Sequence, residues 1–348
     1  MSPAPARHAR SSRATRRATR RRRRRALWCT AALLCATTAL GGLSVYRKLD
    51  KNLATTDIGG ALGPDRPPRH GAALNVLVLG SDTRAGANGA YGAHISGARS
   101  DTTMLLHVDG DREHATVLSI PRDTVVDRPA CPLLHGGTAP EDKAAMFNTA
   151  FSVGGSACTV KTVERLGRVR VDHVVEVDFT GFKHLIDVIG GVTVTTDEDI
   201  HDPKSGLDLT AGTHRLQGER ALALVRTRYG IGDGSDLGRI ELQQRFVAAL
   251  VGQLHAGRLL TDPVRLYRIA DAATSALTTD ADLGSLHALT SLAHDVSGIG
   301  PHAIGFRTLP VKPYPRDPNR VVADEPAAHA LWQALRTDKP LPRGGAGR

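Results

Sequence analysis

Arginine and aspartate recur in this chain as close pairs, and the pairs sit beside short apolar runs. LNVLVLG (74–80) runs directly into SDTR, which places Asp82 and Arg84 two apart. RSDT places Arg99 and Asp101 at the same spacing, just before a second apolar run. SIPRDT (119–124) ends a third run with Arg122 and Asp123, and VRTR contributes Arg226 and Arg228. DLGRIELQQ adds Asp236, Arg239, Gln243 and Gln244. In extended backbone, residues two apart point to one side, so Asp82/Arg84 and Arg226/Arg228 are each expected to share a face. Arg239 and Gln243, at i and i+4, share a helix face. Guanidinium forks match phosphate oxygens bidentately. Carboxylates among them suit Mg2+, which takes one or two protein carboxylates and completes its shell with phosphate and water. Such a cradle stabilises phosphoryl transfer by neutralising charge on the transferring group and the leaving oxygen. Any single pair alone is an ordinary surface ion pair of little consequence. The recurrence of the pattern at strand ends is what points to a site.

No rival catalytic set is present. GxSxG, HExxH and Walker motifs are absent, and the Gly-rich YGIGDGSDLG lacks the GK[ST] ending. The fifteen histidines are scattered and read as solvated or structural; His173 reads as a strand-face residue.

The elements that must hold these residues alternate in type. Strands are expected at 74–80, 102–108, 115–120, 171–179, 192–196 and 302–311. Helices are expected at 144–166, broken at Gly154–Gly155, and at 182–189, 217–224, 237–255, 263–277, 283–296 and 327–336. VRTR is expected to be extended. On the long helix, Ile240, Val247, Leu250, Val251 and Leu254 form an apolar stripe, with Gln243 and Gln244 inside it. A buried amide needs a partner, and a bound polar ligand is the expected one. Alternating strands and helices point to α/β architecture with both sheet faces covered, and in such sheets ligands bind beyond the carboxyl ends of strands.

With 348 residues, 41% hydrophobic and 23% charged, the chain exceeds what a disordered tail or a disulfide-stapled mini-protein would need. Its net charge of +10 resides in the first 25 residues, which hold eleven Arg and no Lys, Asp or Glu. The remainder is nearly neutral, so the charge describes a tail and is no argument for a nucleic-acid-binding fold. Residues 26–45 carry no charge; as a helix they span about 30 Å, the thickness of a hydrocarbon core. The positive-inside rule puts residues 1–25 in the cytoplasm and the chain beyond roughly residue 46 outside. A cleaved signal peptide is the competing reading, but the apolar stretch is long and shows no clear A-x-A site. The Arg run lacks interleaved aromatics, which argues against nucleic acid as its partner. Residues 46–73 read as a linker and 339–348 as a frayed tail. Of four cysteines, Cys29 and Cys35 lie in the span. Cys131 and Cys158 lie in the exported part, where one bridge is the economical reading and the spacing matches no zinc motif.

In combination, LGSDTR, RSDTTMLLHV, SIPRDT, FNTAF, VDHVVEVDFTGF, IDVIGGV, RLQGERALALVRTR and DLGRIELQQRF resemble the LytR–CpsA–Psr family of cell-wall glycopolymer ligases, over roughly Leu74–Leu254. The resemblance implies an α-β-α sandwich with a central mixed sheet, plus one N-terminal transmembrane helix. Its catalytic domain would cover 74–255, with 256–338 as a helical C-terminal part. It also implies a hydrophobic tunnel for a polyprenyl chain, with arginines at the mouth holding the pyrophosphate. Carried over, Asp82 and Asp101 are the metal-site acids, for Mg2+ or Mn2+. Arg122, Arg226, Arg228 and Arg239 hold the pyrophosphate with Gln243 beside them, and Arg84 and Arg99 are weaker members of the set. Asp123 and Asp236 position Arg122 and Arg239. One departure is Leu242–Gln243–Gln244, where the family often has Arg–Gln–Gln. The implied activity moves a glycopolymer phosphate from polyprenyl pyrophosphate to peptidoglycan. A pyrophosphate hydrolase and a non-catalytic lipid-binding regulator are the alternatives.

Overall fold

The computed structural model describes residues 9–81, 100–134, 136–229, 236–256, 262–339 and 341, with backbone alone for 9–26. Asp82, Arg84 and Arg99 lie outside the described residues. The chain divides into Met1–Lys51 and Asn52–Arg348. The first unit is made by α1 (Ala9–Asn52). Within α1, Leu27–Asn52 has a mean hydropathy of 1.5 and is long and apolar enough to cross a membrane. Leu27, Trp28, Leu33, Leu34 and Leu40 carry their side chains outward, unpacked.

In the second unit the strands are β1 (Ala54–Thr56), β2 (Leu74–Ser81), β3 (Ser100–Val108), β4 (Ala115–Ser119), β5 (Thr124–Arg128), β6 (Cys131–Pro132), β7 (Thr138–Ala139), β8 (Asp142–Met146), β9 (His173–Asp178), β10 (Val192–Thr196), β11 (Ile200–Asp202), β12 (Leu207–Leu209), β13 (Gly212–Leu216), β14 (Leu277–Asp280), β15 (Ile304–Thr308), β16 (Val311–Tyr314) and β17 (Asp317–Ala323). The helices are α2 (Gly59–Leu62), α3 (Thr149–Gly167), α4 (Phe179–Ile189), α5 (Gly218–Arg226), α6 (Asp236–His255), α7 (Pro263–Ala276), α8 (Leu286–Ser297) and α9 (Glu325–Arg336).

The central sheet has seven strands in the order β1-β14-β9-β2-β3-β4-β15, with parallel and antiparallel pairs mixed. Alternation along the strands separates two faces. Leu77, Leu79, Leu105, Leu118 and Val174 are fully buried and share a core with Phe147, Val160 and Val163 from the α3 side and Leu331, Trp332 and Leu335 of α9. On the opposite face, Val78, Leu106, Val175, Val177 and Phe306 are only half-buried. Helices α4, α5 and α6 pack with the β10/β13 and β11/β12 hairpins into a second core around Ile186, Leu216, Leu224 and Phe246. One face of the sheet is therefore sealed; on the face turned toward α6, Val76, Met104 and Val117 are buried and only their neighbours are half-buried.

Several expectations need correction. The helix expected from 144 begins at Thr149, because Asp142–Met146 pairs with β5 as β8. The break at Gly154–Gly155 is present; Gly155 has φ +59, and a side chain at Gly154 would meet Pro132 O at 2.2 Å. Residues 256–338 are not only helical, since they supply β14 and β15 to the central sheet and β16–β17 to a second sheet. The expected linker contains β1, which pairs with β14. VRTR is not extended throughout, because Arg226 closes α5. Cys131 and Cys158 are joined by a disulfide that ties the β6/β7 hairpin to α3.

Candidate active site

The antiparallel turn from β2 to β3 and from β3 to β4 brings the end of β2, the start of β3 and the end of β4 to one edge of the sheet. The ends of β9 and β15 lie there too, because β9 runs parallel to β2 and β15 parallel to β4. The pairing of β2 with β3 slips at this edge. Gly80 faces Thr102 and Ser81 faces Ser100, so Asp101 is the extra residue of a β-bulge. A bulge releases its residue from the pleat and re-aims the side chain. Asp101 uses that freedom to accept a hydrogen bond from Arg122 Nη1.

Arg122 and Asp123 stand just past β4, and α6 crosses over them. Asp236, the first residue of α6, accepts from the backbone N–H of Arg122 at 3.1 Å and pairs with Arg239 Nη2 at 2.5 Å. Arg239 Nη2 also donates to the Asp101 carbonyl at 2.8 Å. Arg228 Nη2 lies 3.3 Å from Asp123 and 3.8 Å from Asp236. Residues 101, 122, 123, 228, 236 and 239 thus form one cluster of three guanidinium groups and three carboxylates.

Burial sets the cluster's electrostatics. Burial opposes the charge on Arg122, but Asp101, Asp123 and Asp236 outweigh it and push its pKa above the ordinary arginine value. Arg239 is 3% exposed, and burial pulls its pKa down despite Asp236. The Nε atoms of Arg122, Arg228 and Arg239 are buried without a hydrogen-bond partner among the described residues. Buried donors are seldom left unpaired.

Arg226 and Gln243 also contact an aromatic ring and neighbouring segments of the chain. The Arg226 guanidinium lies 5.4 Å from the Phe179 ring centroid, while Arg228 joins the carboxylates. Gln243 Nε2 donates to Thr102 Oγ1 (2.9 Å) and Val225 O (2.8 Å). Gln244 Nε2 reaches Ser119 Oγ, Arg307 O and Thr308 Oγ1 at 3.0–3.1 Å. The sheet and α5 engage both Nε2 groups, so the two amides fasten α6 to β3, β4, β15 and α5. Gln243 holds the two segments that carry Asp101 and Arg226.

Two residues escaped the sequence reading. Asp202 accepts from the backbone N–H groups of Arg228 (2.9 Å), Tyr229 (3.2 Å), Lys204 (2.9 Å) and Ser205 (3.3 Å). Burial works against its charge, but these donors hold the carboxyl below its usual range and fix the chain that presents Arg228. The turn signature DPKSG was its visible signal. Asn148, whose N–H donates to the Arg122 carbonyl at 3.0 Å, is buried with Oδ1 unpartnered among the described residues; FNTAF was its signal.

The described residues make an α-β-α sandwich with Arg122, Arg228 and Arg239 gathered beyond the carboxyl ends of its strands. The chain belongs to the LytR_cpsA_psr family, which matches residues 45–337. It is 32% identical over 274 residues to the probable cell wall biosynthesis protein LcpB of Corynebacterium glutamicum, covering 76% of this chain and 61% of that protein. Against LcpA of the same organism it is 28% identical, covering 99% and 71%. It is 38% identical to the Bacillus subtilis polyisoprenyl-teichoic acid–peptidoglycan teichoic acid transferase TagT, over 51% of this chain and 52% of that one. The chain thus spans about three fifths of LcpB and half of TagT. Among solved structures, a LytR-Csp2A-Psr enzyme from Actinomyces oris shares the fold, with TM-score 0.61, 24% identity and coverage of 81% and 95%. TagT bound to LI-WTA aligns with TM-score 0.56, 27% identity and coverage of 77% and 90%.

Proposed function

We propose that the chain is a membrane-anchored phosphotransferase that moves a glycopolymer phosphate from a polyprenyl pyrophosphate to a sugar hydroxyl of peptidoglycan, on the outer side of the membrane. The observation that carries this reading is the convergence of Arg122, Arg228 and Arg239 at one sheet edge with their Nε atoms unpartnered. Relatives named as teichoic acid transferases support the same substrate class.

The acceptor oxygen attacks the phosphorus that bears the glycopolymer. The bond from that phosphorus to the bridging oxygen breaks, and polyprenyl phosphate leaves with the electron pair. The acceptor proton passes to solvent or a carboxylate of the site, and a phosphodiester joins polymer to sugar. Arg122, Arg228 and Arg239 neutralise charge on the equatorial and leaving oxygens. Asp236 and Asp123 hold those arginines in place before substrate arrives.

A divalent cation fits the donor set. Three carboxylates offset the three guanidinium groups of the described cluster, so a diphosphate entering it needs further positive charge. Asp101, with Asp82, would hold Mg2+ or Mn2+, which take oxygen ligands. When bound, the ion lowers the pKa of an acceptor hydroxyl and offsets phosphate charge. The half-buried apolar face of Val78, Leu106, Val175 and Val177 supports a place for the polyprenyl chain between the sheet and α6. The apolar helix Leu27–Asn52 supports membrane anchoring.

A shared donor site also suits hydrolysis, with water as acceptor. Purified peptidoglycan added to a lipid-pyrophosphate donor assay separates the two. Transfer yields covalent polymer on the glycan. Release of free polymer phosphate at an unchanged rate, with nothing attached, would make the protein a hydrolase.

A further inference from the structure

At the opposite edge of the sheet, three side chains from distant parts of the sequence meet. His107 lies near the end of β3, about 20 Å along the strand from Asp101 at roughly 3.3 Å per residue. Asp109 opens the β3–β4 hairpin, and Asp338 follows α9. One ligand atom from each lies within 4.8 Å of the others. His107 is 3% exposed, with Nε2 3.3 Å from Asp338 Oδ1 and 3.7 Å from Asp109 Oδ1. Its Nδ1 lies 2.7 Å from Oδ1 of Asn75, itself buried. With Asn75 Oδ1 accepting from Nδ1–H, Nε2 is left to face the two carboxylates. A hydrogen bond to the far ring nitrogen is how metal-binding histidines are usually oriented. Two carboxylates and an imidazole nitrogen that converge on one partly buried pocket are a donor set that a cation can share.

We propose that His107, Asp109 and Asp338 form a second cation site, for Zn2+ or a like first-row divalent ion, which fastens the segment after α9 to the β3–β4 hairpin. One imidazole nitrogen and two carboxylates suit Zn2+, with water or Asp111 available for a fourth position. Asp111 and His114 stand beside it and share Asp109 as a common member. The site is structural and independent of the proposed transferase chemistry. It joins the chain end to the sheet where the Gly110 N–H already donates to Asp338 Oδ2 at 2.9 Å.

The test uses the full chain with Zn2+ as probe, read by metal content after desalting, melting temperature, and amide exchange at Gly110. Asp338→Asn is the variant of choice, because Asp338 is partly exposed and its loss does not hollow the core. Asp101→Asn separates this site from the candidate active site. Wild type and Asp101→Asn are expected to retain one Zn2+ at the hairpin and melt at a higher temperature with it. At a free Zn2+ concentration a hundred times the dissociation constant, local opening at Gly110 falls by about a hundredfold. Asp338→Asn loses all three effects. Equal Zn2+ retention and equal melting in wild type and Asp338→Asn would overturn the site. So would a wild type that binds no Zn2+, which leaves a reversed Asn75 amide and an Nε2–H donating to Asp338.

Discussion

The Asp236 carboxylate accepts the backbone N–H of Arg122 at 3.1 Å across 114 residues of sequence. The same carboxylate pairs with Arg239 three residues on, and both members of that pair are over nine-tenths buried. One side chain therefore sets the position of the β4 exit and the start of α6 together. Asp236 acts here as a positioning residue.

Replacing it tests that role. Asp236→Asn keeps the shape and leaves Arg239 buried without its counter-charge. Removing one partner of a buried pair costs about 3–5 kcal/mol. Calorimetry should show this loss in the substrate-free protein. An unchanged melting temperature would mean that the Asp101 carbonyl and the sheet alone hold Arg239.

Glu176 offers a pH test away from the cluster. It lies on β9 beside Leu79, where burial pushes its carboxyl up and the Ser156 hydroxyl, donating to Oε1, pulls it partly back. Below its ordinary value of 4.5, folded and unfolded forms both hold the proton, and Glu176 contributes nothing to pH dependence. Above 4.5 the unfolded chain releases the proton first, so stability falls until the raised folded pKa is passed. Glu176→Gln should therefore raise the melting temperature at pH 7 and leave it unchanged near pH 4. An equal change at both pH values would assign the effect to packing.

The disulfide gives a third test. Cys131 and Cys158 close a loop with a sequence separation of 27. The chain-entropy argument gives about 3–4 kcal/mol for such a loop. Cys131→Ala with Cys158→Ala should lose that much in denaturant unfolding, and reductant should change the stability of the wild type only.

Much of this architecture was legible beforehand. LNVLVLGS, SDTTMLLHV, ATVLS and VTVTT declare strands through short apolar or β-branched runs, and the helix 237–255 declares itself through its stripe; the structure places all of them within about two residues of expectation. The misses share one cause. DKAAM has helix-forming composition, but pairing with β5 makes it a strand. Arg226 belongs to the helix because α5 runs two residues farther than the apolar pattern requires. The bulge at Asp101 follows from how β2 and β3 pair, which local sequence does not encode. Gln243 is a buried amide and Gln244 a half-buried one, and both have partners. Their Nε2 partners come from β3, β4, β15 and α5, which are distant in sequence or set by how the helices pack, and local sequence names none of them. Motif recognition located the arginines. Only the fold showed which carboxylates Arg122, Arg228 and Arg239 meet, and that Arg226 also lies over the Phe179 ring.

In the proposed reaction Arg122 and its neighbours neutralise a transferring phosphate. This role is tested most directly by single-turnover transfer of labelled glycopolymer from its polyprenyl pyrophosphate to peptidoglycan, comparing wild type with Arg122→Ala at matched folded fraction. Removing one such donor costs about a hundred- to a thousandfold in rate. The account predicts a fall of that size in Arg122→Ala, with little recovery in Arg122→Lys because an ammonium lacks the fork. Transfer by folded Arg122→Ala at the wild-type rate would contradict it.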